Sequence, residues 1–216
     1  MTQNDEQTGH SWANPSALGF IALAVSLFSV TPILVGWVSA SSFPLTASWS
    51  IVALIALVIV TLIFFKNRDI MFGTAFGVLG ILLSGGLAIK AIQLTMLVSS
   101  ATTIPQSVIS GGPVVDAMVW VIIGAILIPI GYLAGHLSKP FAIFIWIADV
   151  GVWLLAAVNF GVAGGTIGMV GGYLVFVLGV WFLYMGIATL VNGTLKKAVI
   201  KIGKPLFKSQ KQPDDI

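Results

Sequence analysis

No charged side chain stands between Trp12 and Phe65, and that absence restricts the fold more than any other feature. Further long apolar runs follow, so that only 8% of the 216 residues are charged and mean hydropathy is +1.07. Soluble domains carry roughly 25% charged residues, and a water-soluble fold of this length cannot cover its surface with so few. Apolar runs of about 20 residues mean helices, because a barrel would show short alternating segments. The chain therefore reads as an all-α, multi-pass membrane protein.

Six transmembrane helices are predicted, over Pro15–Val38, Ala47–Phe65, Phe72–Ile92, Val114–Ala134, Phe141–Val162 and Met169–Val191. Between them stand "SASSFPLTAS", "KNRD", "SSATTIPQSVISGGP", "GHLSKP" and "GVAGGTIG", each rich in turn residues. The organisation expected is a polar N-terminal segment (1–13), a six-helix domain (14–194) and a basic tail (195–216). Lys66, Arg68, Lys139 and the six tail lysines fall on one side of that arrangement, and only Lys90 lies toward the other. By the positive-inside rule both termini are cytoplasmic. Trp12 on one side, with Trp37 and Trp49 on the other, suit interfacial anchors. The first ten residues have no basic n-region, which predicts no cleaved signal peptide. The tail alternates Leu195, Val199, Ile202 and Leu206 with lysines and is expected to lie along the inner leaflet until Pro205. Its lysines suit anionic lipid rather than nucleic acid.

Glycine is placed with a period. Gly172, Gly179 and Gly186 repeat every seventh residue in the sixth span, Ala117, Gly124 and Gly131 do so in the fourth, and Gly73, Gly77, Gly80 and Ser84 share a face of the third. Small residues let helices approach closely in lipid, within a protomer or between protomers.

Reactive groups are scarce. There is no cysteine and no P-loop, and His10 and His136 are isolated. No metal or cofactor site and no nucleophile–base pair can be assembled. A channel, transporter or accessory subunit is expected rather than an enzyme. Lys90 and Asp116 sit at similar depth near the outer ends of the third and fourth spans, which predicts an ion pair, with an anion-attracting role for Lys90 as the alternative. Asp149 is the one acid well inside a span, and such residues are functional candidates by default. Leaving it ionised there costs about 2.5–3.5 kcal/mol. Protonating it at neutral pH costs roughly 4 kcal/mol, so a partner or local water decides its state and it is a candidate proton-responsive group. In "WANPSALGF", Asn14 suits an N-cap and Pro15 the first helical position, and the free N–H groups there offer a weak anion site at the cytoplasmic mouth.

The same stretch, "ANPSALGF", resembles the N-P-A-P-L-G-L signature of the acetate uptake transporter family, which includes the bacterial succinate–acetate permeases. "FGTAFGVLG" (72–80), "GHLSK" before a helix ending in Asn159, and "LYMGIATLVN" (183–192) are similar to further family motifs in the same order. The resemblance implies a six-helix protomer, assembly as a homo-hexamer in the plasma membrane, and proton-linked movement of acetate and related small monocarboxylates. It places an apolar constriction at Leu23, Leu79 and Ala148, with Phe182 at a position tied to selectivity. The signature's second proline is Ala17 here, and the family's Glu before V-L-N is Thr189. The substrate pathway implied is Asn14, Leu23, Leu79, Ala148, Asn159 and Phe182, with lipid, protons and the carboxylate as partners. A urea/amide-type channel for neutral solutes is the rival reading, and a scaffold without transport a third.

Overall fold

The computed structural model describes residues 12–39, 42–99 and 106–207. Where lipid offers no hydrogen-bond partners, a spanning backbone must satisfy its own polar groups, and every element described in the spans is helical. They are α1 (Ser16–Leu34), α2 (Phe43–Lys66), α3 (Ile70–Phe76), a π-helical segment (Gly77–Gly85), α4 (Gly86–Ser99), α5 (Gln106–Gly135), α6 (Lys139–Asn159) and α7 (Gly165–Leu195). Since α3, the π segment and α4 run on as one rod, six helices among the described residues are long and apolar enough to cross a membrane.

The spans differ from the sequence expectation mainly at their ends. α1 stops at Leu34 rather than Val38, because Gly36 takes a φ of 75° and the Trp37 N–H turns back to the Pro32 carbonyl at 2.8 Å. α5 reaches back to Gln106, absorbing much of the long third connection. α7 begins at Gly165, inside the glycine-rich connection. On the opposite side polar caps start two helices: Asp69 accepts the Phe72 N–H at 3.0 Å, and Ser138 accepts that of Phe141 at 3.4 Å. Pro15, not Asn14, is the N-cap of α1, and Ser16 is its first helical residue. Asn14 instead accepts the Ser16 N–H at 2.9 Å in a local turn.

In space the helices follow the order α5, α6, α7, α1, α2, third span, and the third span meets α5 only sparsely. The periodic glycines explain the close neighbours. A Cβ on Gly186 would stand 2.6 Å from Ile21, one on Gly179 3.2 Å from Leu27, and one on Gly172 3.0 Å from Leu34, all on α1. On α5, Gly124 and Gly131 receive the indoles of Trp153 and Trp146, themselves seven residues apart on α6. Gly73, Gly77 and Gly80 of the third span lie against Phe65, Thr61 and Leu57 of α2. These faces are therefore occupied inside the protomer, and assembly through them, as the sequence allowed, has no free surface left to use.

The face carrying residues 12 and 207 is held by polar links. Trp12 and Asn67 exchange two hydrogen bonds of 3.2 Å, and the Lys66 ammonium lies 4.1 Å from the Trp12 ring centre. The tail after α7 is a strap of irregular chain. Asn192 turns it by accepting the Val199 and Ile200 N–H groups at 2.8 and 2.9 Å. The strap then crosses to the α5–α6 turn, where Ser138 donates to the Ile202 carbonyl at 2.6 Å and the Leu206 N–H donates to Gly135 at 2.7 Å.

Candidate transport pathway

α1 carries Phe20, Leu23, Leu27, Val30 and Leu34 at helical spacing, one inward stripe from the terminal face toward the far face. Its far half opens onto a central cavity. Leu27, Val30 and Leu34 line it together with Leu79 and Leu83 of the third span, Trp120, Ile123 and Leu127 of α5, Ala148 and Val152 of α6, and Val175 and Leu178 of α7. α2 contributes no lining residue. The lining is apolar throughout, and water-sized space amounts to about 30 Å³. That is room for a water or two, not for an acetate with its hydration shell.

Toward the terminal face the cavity gives way to stacked rings. Phe20 is the hub: its ring centre is 5.2 Å from that of Phe76, 5.7 Å from Phe141, 5.7 Å from Phe182 and 6.1 Å from Phe72. Phe64 of α2 stacks on Phe72 and Phe76 at 5.2 and 5.4 Å. α1, α3, α6 and α7 thus converge on one residue, which is 2% exposed. Edge-to-face packing of this kind fills space densely and leaves no aqueous continuity. The bundle is closed at this level.

The sequence-predicted residues fall into distinct places. Leu79 and Ala148 face the same cavity. Leu23 is buried on the inward stripe of α1, and Phe182 is in the ring cluster. Asn159 ends α6 and donates to the Leu155 carbonyl of its own helix at 2.8 Å. Asn14 is exposed on the terminal face. The bulk supplied by Phe20 escaped the sequence reading, although Phe20 closes the quoted "ANPSALGF" stretch where the resembling motif has Leu. Its position three residues before Leu23 was the available signal.

Asp149 is buried at 8% exposure, next to Ala148 in sequence and about 100° round the helix from it, so it flanks the cavity rather than lining it. Its Oδ1 has no hydrogen-bond partner among the described residues. Ser26 and Ser84 pair at 2.6 Å between α1 and the π segment. Lys90 and Asp116 form the ion pair expected of them, across the gap between the third span and α5. Among the described residues no group of three potential metal ligands occurs.

Six membrane-crossing helices among the described residues, around an apolar cavity, define a polytopic membrane protein. Its fold is similar to one already solved, described as "Structure of the bacterial acetate channel SatP". The TM-score is 0.73 at 17% identity, over 89% of this chain and 99% of that one. At such identity the likeness shows a common fold. No family model and no curated protein sequence matches the chain.

Proposed function

We propose that this protein is a channel or transporter for acetate and related small monocarboxylates, with one pathway through each protomer. The carrying observation is an apolar cavity interrupted only by a phenylalanine plug, inside a fold similar to that of an acetate channel. The pathway runs from the far face through the cavity past Ala148 and Leu79, then past Leu23, Phe20 and Phe182 to a mouth beside Asn14. Asn159, at the far end of α6, replaces part of the water a carboxylate sheds. The basic residues on the terminal face orient that face toward the cytoplasm in the plasma membrane. Assembly as a homo-hexamer uses faces other than the glycine stripes.

An uncharged cavity also suits a neutral amide, which keeps a urea-type channel in play. Uptake of labelled acetate and labelled urea into proteoliposomes separates the two. Acetate uptake well above urea uptake is expected; the reverse order refutes the carboxylate reading, and no uptake of either makes the protein a scaffold.

Asp149 gives this reading a pH dependence. An ionised carboxylate beside the cavity repels an entering anion and a protonated one does not, so flux rises as pH falls. Of the other charged groups in the described helices, Lys90 and Asp116 are paired near the far face, and Lys66 and Lys139 stand at helix ends on the terminal face. Asp149→Asn keeps the shape and removes the titration. Its acetate flux is expected to lose this component of the slope between about pH 5 and 8. A flux–pH curve parallel to wild type would leave Asp149 as a packing residue.

A further inference from the structure

The sparse contact between the third span and α5 leaves a cleft of about 140 Å³, lined by Leu83, Gly86, Trp120 and Ile123 with Lys90 and Asp116 among its walls. Three of these residues, Leu83, Trp120 and Ile123, also line the central cavity. Cleft and cavity are thus neighbours separated by one layer of side chains. A Cβ added at Gly86 would meet nothing within 4 Å, so the cleft is open where the chain leaves its π-helical turn. π segments widen a helix locally and recur at functional sites. Lys90 stands about 30 Å along the rod from Ile70, at 1.5 Å per residue, which sets it at the far membrane boundary within reach of water. Its side chain is 44% exposed and that of Asp116 29%.

We propose that a monocarboxylate enters from the far face through this cleft, and that Lys90 receives it by exchanging the Asp116 carboxylate for the solute's. This rests on the carboxylate reading above and adds to it a route and a recognition residue. The chemistry is a like-for-like swap. An ammonium donates up to three hydrogen bonds, a small carboxylate accepts them as Asp116 does, and the methyl end of acetate lies toward Leu83, Trp120 and Ile123. Asp116 keeps the site occupied between solutes, so that Lys90 is never left without a counter-charge beside lipid. Displacing Leu83, Trp120 and Ile123 is the step that admits the solute to the central cavity.

Two measurements on the full-length protein in proteoliposomes test this. The first is the acetate concentration giving half-maximal uptake. Lys90→Gln/Asp116→Asn removes both charges, leaving neither partner unpaired, and is expected to raise that concentration roughly tenfold, the loss of one charge-assisted hydrogen bond. Lys90→Arg is expected to keep it near wild type. A purely structural ion pair would lower the melting temperature of the double variant without moving half-saturation, and that result overturns the proposal. The second uses the absence of cysteine from the natural chain. Gly86→Cys treated from the far side with an anionic methanethiosulfonate is expected to lose most of whatever acetate uptake the untreated variant shows, with acetate slowing the modification; wild type, which offers the reagent no thiol, is expected to be unaffected by it. Failure of the reagent to react, or full uptake after reaction, means that lipid or a neighbouring protomer fills the cleft and sinks the side route. If wild type itself moves no acetate, it is the carboxylate reading that has failed. Radiolabelled acetate binding to Gly86→Cys, with and without modification, then still decides the site, because unchanged binding overturns it.

Discussion

Gly186→Leu is expected to prevent the bundle from forming, whereas Leu at Gly193, seven residues further along α7, is expected to leave it intact. A Cβ at Gly186 would lie 2.6 Å from the Ile21 side chain, 3.2 Å from the Ile21 backbone nitrogen and 3.3 Å from the Ala17 carbonyl. Side chains can move aside, but two of those three atoms belong to the backbone of α1. Overpacking a core by a few methylenes typically costs about 1–3 kcal/mol, and a leucine pressed against helix backbone exceeds that range. Gly179 faces only Leu27 side-chain atoms, at 3.2 Å and beyond, so Gly179→Ala is the milder change of the pair. Gly193 and Gly165 have nothing within 4 Å of an added Cβ. Thermal unfolding in detergent orders the four positions: Gly186 worst, Gly179 intermediate, Gly193 and Gly165 near wild type. Equal losses at Gly186 and Gly193 would mean that the seven-residue series acts between protomers instead.

The same glycines show where the sequence was informative and where it was not. A seven-residue period marks a contact face, but nothing in α7 alone says that the face meets α1, or that the glycines of α5 are seats for Trp146 and Trp153. Span number followed from apolar length, which lipid enforces strictly. Span ends followed less well, because Gln106–Pro113 has a loop-like composition and is nonetheless helical. The π segment was not legible either, since "GVLGILLSG" has no residue pattern that distinguishes it from an α-helix. In the tail, the alternation of Leu195, Val199, Ile202 and Leu206 suggested a membrane-lying element. It is Asn192, through bonds to the backbone of Val199 and Ile200, that makes it a strap. Of the pathway, Leu79 and Ala148 were found by motif and do share a cavity, while the ring cluster was missed. Its members come from five separate helices, and only the fold brings them together on Phe20.

Ala148→Phe is expected to cut acetate uptake by an order of magnitude or more and to stop larger monocarboxylates altogether. Ala148 is 1% exposed and lines a cavity with about 30 Å³ of water-sized space, so a phenyl ring has nowhere to go except across the route. The ring must also displace other lining side chains, at an overpacking cost of about 1–3 kcal/mol. A melting curve therefore accompanies the flux assay. Phe20→Leu is the complementary change, because it removes ring volume from the hub while keeping an apolar residue, the one the resembling motif carries. Rings of Phe72, Phe76, Phe141 and Phe182 then lose their common partner, and the plug loosens. Uptake of propionate and butyrate is expected to rise relative to acetate in Phe20→Leu and to vanish in Ala148→Phe. Acetate carries the smallest apolar part of the three and is affected least in both. If Ala148→Phe folds and conducts acetate and butyrate as wild type does, solutes do not pass through the central cavity, and the ring cluster is core packing rather than a gate.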